Sequence, residues 1–355
     1  MKHITLIFFL GIFLTIGGCK KDPEITEEKT GEEPVLTKYE LQIPTKYQRG
    51  YPIPNLPDDN PLTVEGISLG RMLFYDPILS DDSSQSCATC HKIENGFSDP
   101  DRVSTGINGN EGRRNAMAII NLAWGERFFW DGRVGSLEEQ ALNPVPDPIE
   151  MHQEWIYVLD KLQWHTVYPE KFEEVFGVNI IAPSHVVKAI AQFERSLISF
   201  NSRADRGQLN AQEKRGDSIF NSEKGDCFHC HIPPMLFTDN SFKNNGLDAR
   251  YDGDKGLFEV TGNQRDIGKF KVPTLRNIEL TAPYMHDGRF KTLEEVVDFY
   301  SEGLAFHPNT DPLMKKVLQG GLRLTDQEKE DLVAFLKTLT DTSFINNPDF
   351  KDPFK

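Results

Sequence analysis

The chain has 355 residues, and its 54 acidic residues outnumber its 39 lysines and arginines, which gives a formal net charge of −15 at pH 7. A negative charge of this size argues against nonspecific binding to nucleic acid or to anionic lipid, because both carry charge of the same sign. Hydrophobic residues make up 38% of the sequence, enough for a packed core, so a chain disordered throughout is excluded. The length is sufficient for two domains of ordinary size.

The first residues have the pattern of an export signal. Lys2 is followed by an apolar run from Ile4 to Ile16 that is too short to span a bilayer, and small residues precede Cys19. This segment resembles a bacterial lipoprotein signal, whose cysteine becomes the lipid-modified first residue of the mature protein. We therefore predict a signal peptide over residues 1–18, a membrane anchor through lipid on Cys19, and a location in the bacterial cell envelope, facing the periplasm or the outer surface. An uncleaved signal anchor is the alternative.

The next segment, residues 19–60, is rich in lysine, glutamate and proline and shows no sustained apolar period. Such a composition is typical of a tether. Towards its end, Tyr39, Leu41, Tyr47 and Tyr51 can dock on a globular body. We predict a tether that continues as an N-terminal arm.

Two C-x-x-C-H motifs organise the rest of the chain. They consist of Cys87, Cys90 and His91, and of Cys227, Cys230 and His231. In such a motif the two cysteines form thioether bonds to one haem and the adjacent histidine ligates the iron. We therefore predict two covalently bound haems of the c type, with His91 on the first iron and His231 on the second. A zinc site and a redox-active dithiol are the alternatives, but both leave the histidine of each motif unexplained.

Short sequences recur in the same order around the two motifs, which indicates an internal duplication. The recurring pairs are Gly70 and Gly216, Phe97 and Phe237, Arg114-Asn115 and Arg276-Asn277, and Asp131-Gly132-Arg133 and Asp287-Gly288-Arg289.

Helix signals dominate both halves of the chain. Capping boxes begin at Ser136, Thr292 and Thr325, where a hydroxyl residue is followed three positions later by glutamate. Residues 185–200 have apolar side chains at helical spacing, which predicts a helix that closes the first half. Alternating strand patterns are scarce.

At this point the sequence resembles a known family, the bacterial dihaem cytochrome c peroxidases and the related MauG-like enzymes. The similar segments are 129–133, 137–140 and 150–151 in the first half, and 272–277 and 283–288 in the second. The resemblance covers residues 60–340.

Together, these observations predict an all-α chain with two cytochrome c-like haem domains related by internal duplication. The N-terminal, peroxidatic domain is expected over residues 61–205, and the C-terminal, electron-transfer domain over residues 206–341. A C-terminal tail follows over residues 342–355.

The resemblance implies that the first haem is the site where hydrogen peroxide reacts. Gln140 and Glu150 match the family's distal pair, in which the glutamate is the acid/base and the glutamine orients peroxide by hydrogen bonds. Trp130 matches the tryptophan that lies between the two haems and shortens the electron jump. Without the resemblance, Gln140 and Glu150 would be read as polar residues of surface helices and Trp130 as a core residue.

One departure from the family concerns the first iron. Some members hold this haem inactive with a distal histidine, but the aligned residue here is Ile107, and residues 92–130 contain no histidine. Met117 is the only sulfur ligand in that stretch. We therefore expect a five-coordinate or water-bound first iron that needs no reductive activation, as in the MauG-like branch.

A second departure concerns the other iron. Peroxidases with a high-potential second haem have a methionine fourteen residues after the histidine of the P-Y-x-H-D-G motif, and this chain has Tyr300 at that distance from His286. MauG has a tyrosine ligand at the matching place. The resemblance thus implies Tyr300 as the distal ligand of the second iron, with Met314 and Met285 as alternatives because thioether sulfur suits haem iron.

The resemblance also implies calcium between the domains. Asn115, Thr281 and Pro283 match the family's calcium ligands, which are a side-chain oxygen and two backbone carbonyls. Ordinary hydrogen bonding within turns is the alternative.

The expected function is reduction of hydrogen peroxide to water with electrons from a small redox protein, either a cytochrome c or a cupredoxin. A MauG-like oxidase that uses peroxide to oxidise side chains of a partner protein is the first alternative. A dihaem cytochrome that only transfers electrons is the second. No nucleic-acid partner is expected, and a homodimer is compatible with the sequence.

Overall fold

The structure is a computed structural model, and it describes residues 35–355. The predicted signal peptide and the lipid anchor on Cys19 lie outside the described residues. Within 35–355, no helix combines the length and the apolar character that crossing a membrane requires.

The described part of the chain is mostly helical, with long loops between the helices. Its α-helices are α1 (Val64–Tyr75), α2 (Cys87–Cys90), α3 (Leu137–Ala141), α4 (Trp155–Gln163), α5 (Tyr168–Phe176), α6 (Pro183–Ser196), α7 (Ala211–Phe220), α8 (Phe258–Thr261), α9 (Leu293–Glu302), α10 (Asp326–Lys337) and α11 (Thr342–Ile345). Short 3-10 helices lie at Thr45–Tyr47, Pro77–Leu79, Ile93–Asn95, Leu122–Trp124, Cys227–His229, Gln264–Asp266, Val317–Gln319 and Pro348–Phe350. Among residues 35–355, the single sheet is an antiparallel pair of β1 (Phe242–Lys243) and β2 (Phe270–Lys271).

The helix predictions are confirmed at their start points. Ser136, Thr292 and Thr325 each accept a hydrogen bond from the backbone amide three residues later, as the capping boxes require. The helix expected over 185–200 is α6, which begins two residues earlier and ends at Ser196.

One helix pair in each half crosses at a glycine. Gly70 in α1 lies against the backbone carbonyl of Ala189 in α6, and Gly216 in α7 lies against that of Asp331 in α10. A Cβ at either glycine would overlap the carbonyl oxygen, so only glycine allows the helices to approach so closely. The recurring glycine of the sequence therefore sets the same helix crossing in both halves.

One of the sequence repeats is paired differently in the structure. The Oδ1 atom of Asn277 accepts a hydrogen bond from the backbone amide of Asp341, beyond α10, at 2.7 Å. The same bond in the first half is made by Asn121, whose Oδ1 accepts from the amide of Ser199, beyond α6, at 2.8 Å. The predicted correspondence of Asn115 with Asn277 is therefore wrong. A two-residue sequence match carries no information on the hydrogen-bond partner of the asparagine. The internal duplication itself stays a prediction.

Each half has its own apolar core. In the first half, Leu69 and Leu73 of α1 pack with Val186 and Ile190 of α6. In the second half, Phe220 of α7 packs with residues of α9 and α10. Each core supports one of the two C-x-x-C-H motifs, since Cys87 packs against the first and Cys227 against the second.

Both ends of the described chain pack on this body. The ring of Tyr47, in the arm, is buried against Phe200, and its hydroxyl donates to Oδ1 of Asp205 at 2.8 Å. At the other end, Phe344 packs against Phe97 of the first half, with ring centroids 5.7 Å apart. The segment expected as a C-terminal tail thus contributes to the core beside the first motif.

Candidate haem sites

The first motif is presented by the short helix α2. The hydroxyl of Thr89 accepts a hydrogen bond from the amide of Ser86 at 3.0 Å, which closes a capping box at the start of the helix. Cys87 and Cys90 form the first and last residues of α2, one helical turn apart. His91 follows directly, so the three residues have the spacing that covalent haem attachment requires.

The ring of His91 is held by the backbone. Its Nδ1 lies 2.9 Å from the carbonyl oxygen of Phe97, whose positive φ of 57° turns that carbonyl towards the ring. This contact fixes the orientation of the imidazole and leaves Nε2 for iron. Burial lowers the pKa of His91, which favours the neutral imidazole that binds a metal. The residues therefore fit a c-type haem.

A cavity of about 710 Å³ lies beside this motif, between the two halves of the chain. It brings together most of the site residues predicted from the sequence. Those that line it are Cys87, Cys90, His91, Gln140, Glu150, Trp130, Asn115, Thr281, Pro283, Met117 and Met285.

Glu150 reaches the cavity from the loop between α3 and α4. Burial and the nearby Asp147 raise the pKa of Glu150 and Arg133 lowers it, with a net value of about 7. The carboxyl group can therefore take up and release a proton near neutral pH, which is what a general acid/base requires. Gln140 enters the same cavity from α3, whose first turn is fixed by the capping bond between Ser136 and the Glu139 amide.

The loop that carries Ile107 is fixed to the backbone of Glu150. The amide of Ile107 donates to the carbonyl oxygen of Glu150 at 3.1 Å. The alkyl side chain of Ile107 has no atom that can ligate iron. Met117 lines the cavity, but its backbone interacts with the ring of His91, so it lies beside the proximal ligand.

Trp130 is held by contacts with both halves of the chain. Its indole Nε1 donates to the carbonyl oxygen of Asn115 at 2.8 Å. Its own carbonyl accepts from the amide of Lys271, in β2, at 2.8 Å. Its ring lies edge-on to His286, with centroids 6.5 Å apart. Trp130 is thus fixed at the boundary between the two halves.

The second motif repeats the arrangement of the first. Cys227 begins a 3-10 helix, and Nδ1 of His231 lies 3.1 Å from the carbonyl oxygen of Phe237. Phe237 has a positive φ of 52°, as Phe97 has in the first half. The same backbone device therefore orients both histidines.

The three candidate distal ligands of the second iron lie in one apolar cluster. Tyr300, Met285 and Met314 each pack against the cluster formed by Leu247, Phe299 and Leu304. The amide nitrogen of Asn245 lies 3.0 Å from the Tyr300 hydroxyl and 3.7 Å from the Met285 sulfur. The pKa of Tyr300 is raised to about 12, chiefly by burial, while the hydrogen bond with Asn245 lowers it.

The thiols of the second motif also act on Tyr300. Cys230 and Cys227 both raise the pKa of the phenol, so its hydroxyl lies within electrostatic reach of the haem attachment site.

The predicted calcium ligands Asn115, Thr281 and Pro283 share the wall of the cavity. The amide nitrogen of Asn115 donates to the backbone carbonyls of Asp101 and Arg102, at 3.2 and 3.3 Å. The side-chain oxygen of Asn115 and the backbone carbonyls of Thr281 and Pro283 are the kinds of ligand that suit a hard cation such as calcium.

The sequence predictions omit a buried carboxyl group of the cavity wall. Glu194 in α6 is only 4% exposed and lines the cavity beside the first motif. The signal for it is present in the sequence, because Glu194 follows Ile190 by four residues and precedes Leu197 by three, so it falls on the apolar face of the helix.

The comparisons with known proteins agree with these observations. A family model described as di-haem cytochrome c peroxidase matches residues 64–214. The chain is 38% identical to the methylamine utilization protein MauG of Methylorubrum extorquens over 304 residues, which is 84% of each chain. It is 34% identical to the cytochrome-c peroxidase IdrP1 of Pseudomonas sp. strain SCT over 326 residues, 81% of this chain and 84% of the relative.

The fold has a close match among solved structures. The crystal structure of a MauG-like protein associated with microbial copper homeostasis matches with a TM-score of 0.80 and 37% identity, over 89% of this chain and 100% of that one.

Proposed function

Because the chain belongs to the family of dihaem cytochrome c peroxidases and MauG, we propose that it reduces hydrogen peroxide to water at the first haem, with electrons from a small redox protein. Membership makes the chain an oxidoreductase of the peroxidase type and implies two c-type haems. The observation that carries the finer proposal is the meeting of Glu150 and Gln140 in the cavity beside His91, with the pKa of Glu150 near 7.

The haems, when bound, supply the redox chemistry and the iron at which peroxide reacts. The polypeptide supplies proton transfer and orientation. In our proposal, the amide of Gln140 orients peroxide by a hydrogen bond. The carboxylate of Glu150 would take a proton from one peroxide oxygen and give it to the other, which would leave as water. Two electrons and two further protons complete the reduction to two molecules of water.

Electrons would enter through the second haem. A small cytochrome c or cupredoxin delivers them singly, and Trp130 lies on the route to the first haem because it is bonded to both Asn115 and Lys271.

A second candidate function is a MauG-like oxidase that uses peroxide to oxidise side chains of a partner protein. The observation that favours it is the position of Tyr300 within reach of the thiols of the second motif, since a phenolate ligand lowers the potential of a haem. Ile107 in place of a ligating histidine agrees with both functions.

One experiment distinguishes the candidates. The haem-loaded ferric protein, as isolated, is mixed with hydrogen peroxide and a reduced small cytochrome c, and peroxide consumption is followed. Sustained turnover supports the peroxidase. A long-lived oxidised state without turnover supports the oxidase, and no reaction with peroxide at all contradicts both. Glu154→Gln is a matched control for Glu150→Gln, because Glu154 is exposed and lies four residues further along.

We also propose the features that follow from the sequence alone. Asn115, Thr281 and Pro283 would hold calcium at the boundary of the halves. The protein would be anchored through Cys19 in the bacterial cell envelope. Metal analysis of the purified protein and mass spectrometry of its N-terminus test these two proposals.

A further inference from the structure

Glu194 is a second buried carboxyl group in the cavity of the first haem. It lies in α6, which packs against α1 and α3, and only 4% of its surface is exposed. Its Oε2 atom has no hydrogen-bond partner among the described residues. A buried carboxylate oxygen without a partner is costly, so the site favours the protonated form unless a positive charge is added nearby.

Within residues 35–355, the cation that acts most on Glu194 is Arg195, and it is paired with another carboxylate. The adjacent guanidinium of Arg195 makes two bonds to Glu138 of α3, at 2.6 and 2.8 Å. Burial raises the pKa of Glu194, Arg195 lowers it and Glu138 raises it, with a net value of about 8.

The ionisable residues of α1 are engaged elsewhere. Glu65 accepts from the amide of Thr37, Arg71 donates to the carbonyl of Asp349, and the Tyr75 hydroxyl donates to that of Phe350. They therefore do not compensate a charge on Glu194.

Glu194 lies close to the point of haem attachment. Burial raises the pKa of Cys87, and the carboxyl groups of Glu194 and Glu150 raise it further. Both carboxyl groups are therefore within electrostatic reach of the same cysteine, which becomes a neutral thioether when haem is attached.

The second half of the chain has an apolar residue at the corresponding position. At the first helix crossing, Gly70 faces Ala189 and Phe193 of α6. At the second crossing, Gly216 faces Asp331 and Phe335 of α10. The residue after Phe193 is Glu194, and the residue after Phe335 is Leu336, which is buried in the second core. The helix crossing thus has no need of a carboxyl group at this position.

We propose that Glu194 is a redox-linked proton site of the first haem. When one electron from the redox partner enters this haem, the positive charge on the iron falls by one, and the Glu194 carboxylate takes up one proton from solvent. When the oxidised redox partner takes the electron back, Glu194 would release the proton to solvent. The net charge of the buried cavity thus stays the same on reduction. Protonation removes the electrostatic repulsion between the Glu194 carboxylate and the added electron. This inference depends on haem attachment at Cys87 and Cys90 but not on peroxide turnover.

The test measures the reduction potential of each haem in the full-length, haem-loaded protein as a function of pH. The wild-type first haem should lose up to about 59 mV for each tenfold fall in proton concentration, the one-electron value for a proton taken up with an electron. Glu194→Gln and Glu194→Leu should abolish this slope, and the second haem should be unaffected. The leucine variant copies the residue found in the second half, and the glutamine variant keeps the size and polarity of the side chain if the leucine variant fails to fold.

An infrared difference spectrum between the reduced and oxidised protein provides a second readout. The carbonyl band of a protonated carboxylic acid should appear on reduction in the wild type and be absent in Glu194→Gln. Glu150→Gln identifies the carboxyl group responsible. The proposal is overturned if Glu194→Gln retains both the slope and the band, or if Glu150→Gln alone removes them. A protein that failed to turn over peroxide would still give this result.

Discussion

The indole nitrogen of Trp130 donates a hydrogen bond to the carbonyl oxygen of Asn115 at 2.8 Å. Asn115 is also a predicted calcium ligand. Its position is fixed because its backbone amide donates to the carbonyl oxygen of His286 at 2.8 Å. His286 in turn lies edge-on to the Trp130 ring. The tryptophan that would carry electrons between the haems is therefore held by a closed set of contacts across the boundary of the two halves.

Replacing Trp130 by phenylalanine should slow electron transfer from the second haem to the first. The variant loses the indole ring and its bond to Asn115, and the lost bond should cost about 1 kcal/mol of unfolding free energy. Rapid-mixing spectroscopy of the reduced protein with peroxide measures the rate at which the second haem is reoxidised.

Trp124→Phe is the matched control for this prediction. The indole of Trp124 donates to the carbonyl of Pro52 at 2.9 Å and packs against Phe200, and Trp124 does not line the cavity. It should lose comparable stability and keep the inter-haem rate. Equal rates in the two variants would remove Trp130 from the electron path.

Glu150→Gln should lower the rate of peroxide reduction by about 10² to 10⁴, the usual contribution of a positioned acid/base. The carboxylate is the form that accepts the peroxide proton, so the wild-type rate should rise with pH through about 7. This limb of the pH profile should vanish in the variant. A variant that retains both the rate and the limb would exclude Glu150 as the acid/base.

The same carboxyl group should affect the pH dependence of stability. Burial raises the pKa of Glu150 in the folded chain above its ordinary value of 4.5, so folding favours the protonated form. Its contribution to the free energy of unfolding is fully present below pH 4.5 and is lost as the pH rises through about 7, at about 1.4 kcal/mol for each unit between the folded and unfolded pKa values. The denaturant midpoint of Glu150→Gln minus that of the wild type should therefore be larger at pH 8 than at pH 4.5.

The sequence predicts the parts of the site whose chemistry is local. Two cysteines and a histidine at fixed spacing suffice to predict haem attachment, and a hydroxyl three residues before a glutamate suffices to predict the start of α3. The sequence did not predict Glu194 as a cavity residue, because its burial depends on the packing of α6 against two other helices. Asn121 and Asn277 make the same kind of hydrogen bond, which only the contacts beyond α6 and α10 reveal.

Tyr300→Phe should change the optical spectrum of the second haem if the phenol oxygen ligates iron. The variant also removes the bond to Asn245, at a cost of about 1 kcal/mol. Tyr251→Phe controls for that loss, since the buried Tyr251 hydroxyl bonds to Asn244 at 3.2 Å. An unchanged spectrum in Tyr300→Phe would leave Met285 and Met314 as the candidates.

Gly70→Ala and Gly216→Ala should both destabilise the protein, although alanine favours a helix over glycine by about 1 kcal/mol. The added Cβ overlaps a backbone carbonyl of the partner helix in each case, and a rigid backbone can relieve the overlap only by separating the helices. We expect a loss of about 1–3 kcal/mol in unfolding free energy, measured by denaturant titration. Gly253→Ala is the control, because open space surrounds its Cβ position, and it should change stability by less than about 0.5 kcal/mol. If Gly70→Ala were tolerated as well as Gly253→Ala, the close crossing of α1 and α6 would be wrong.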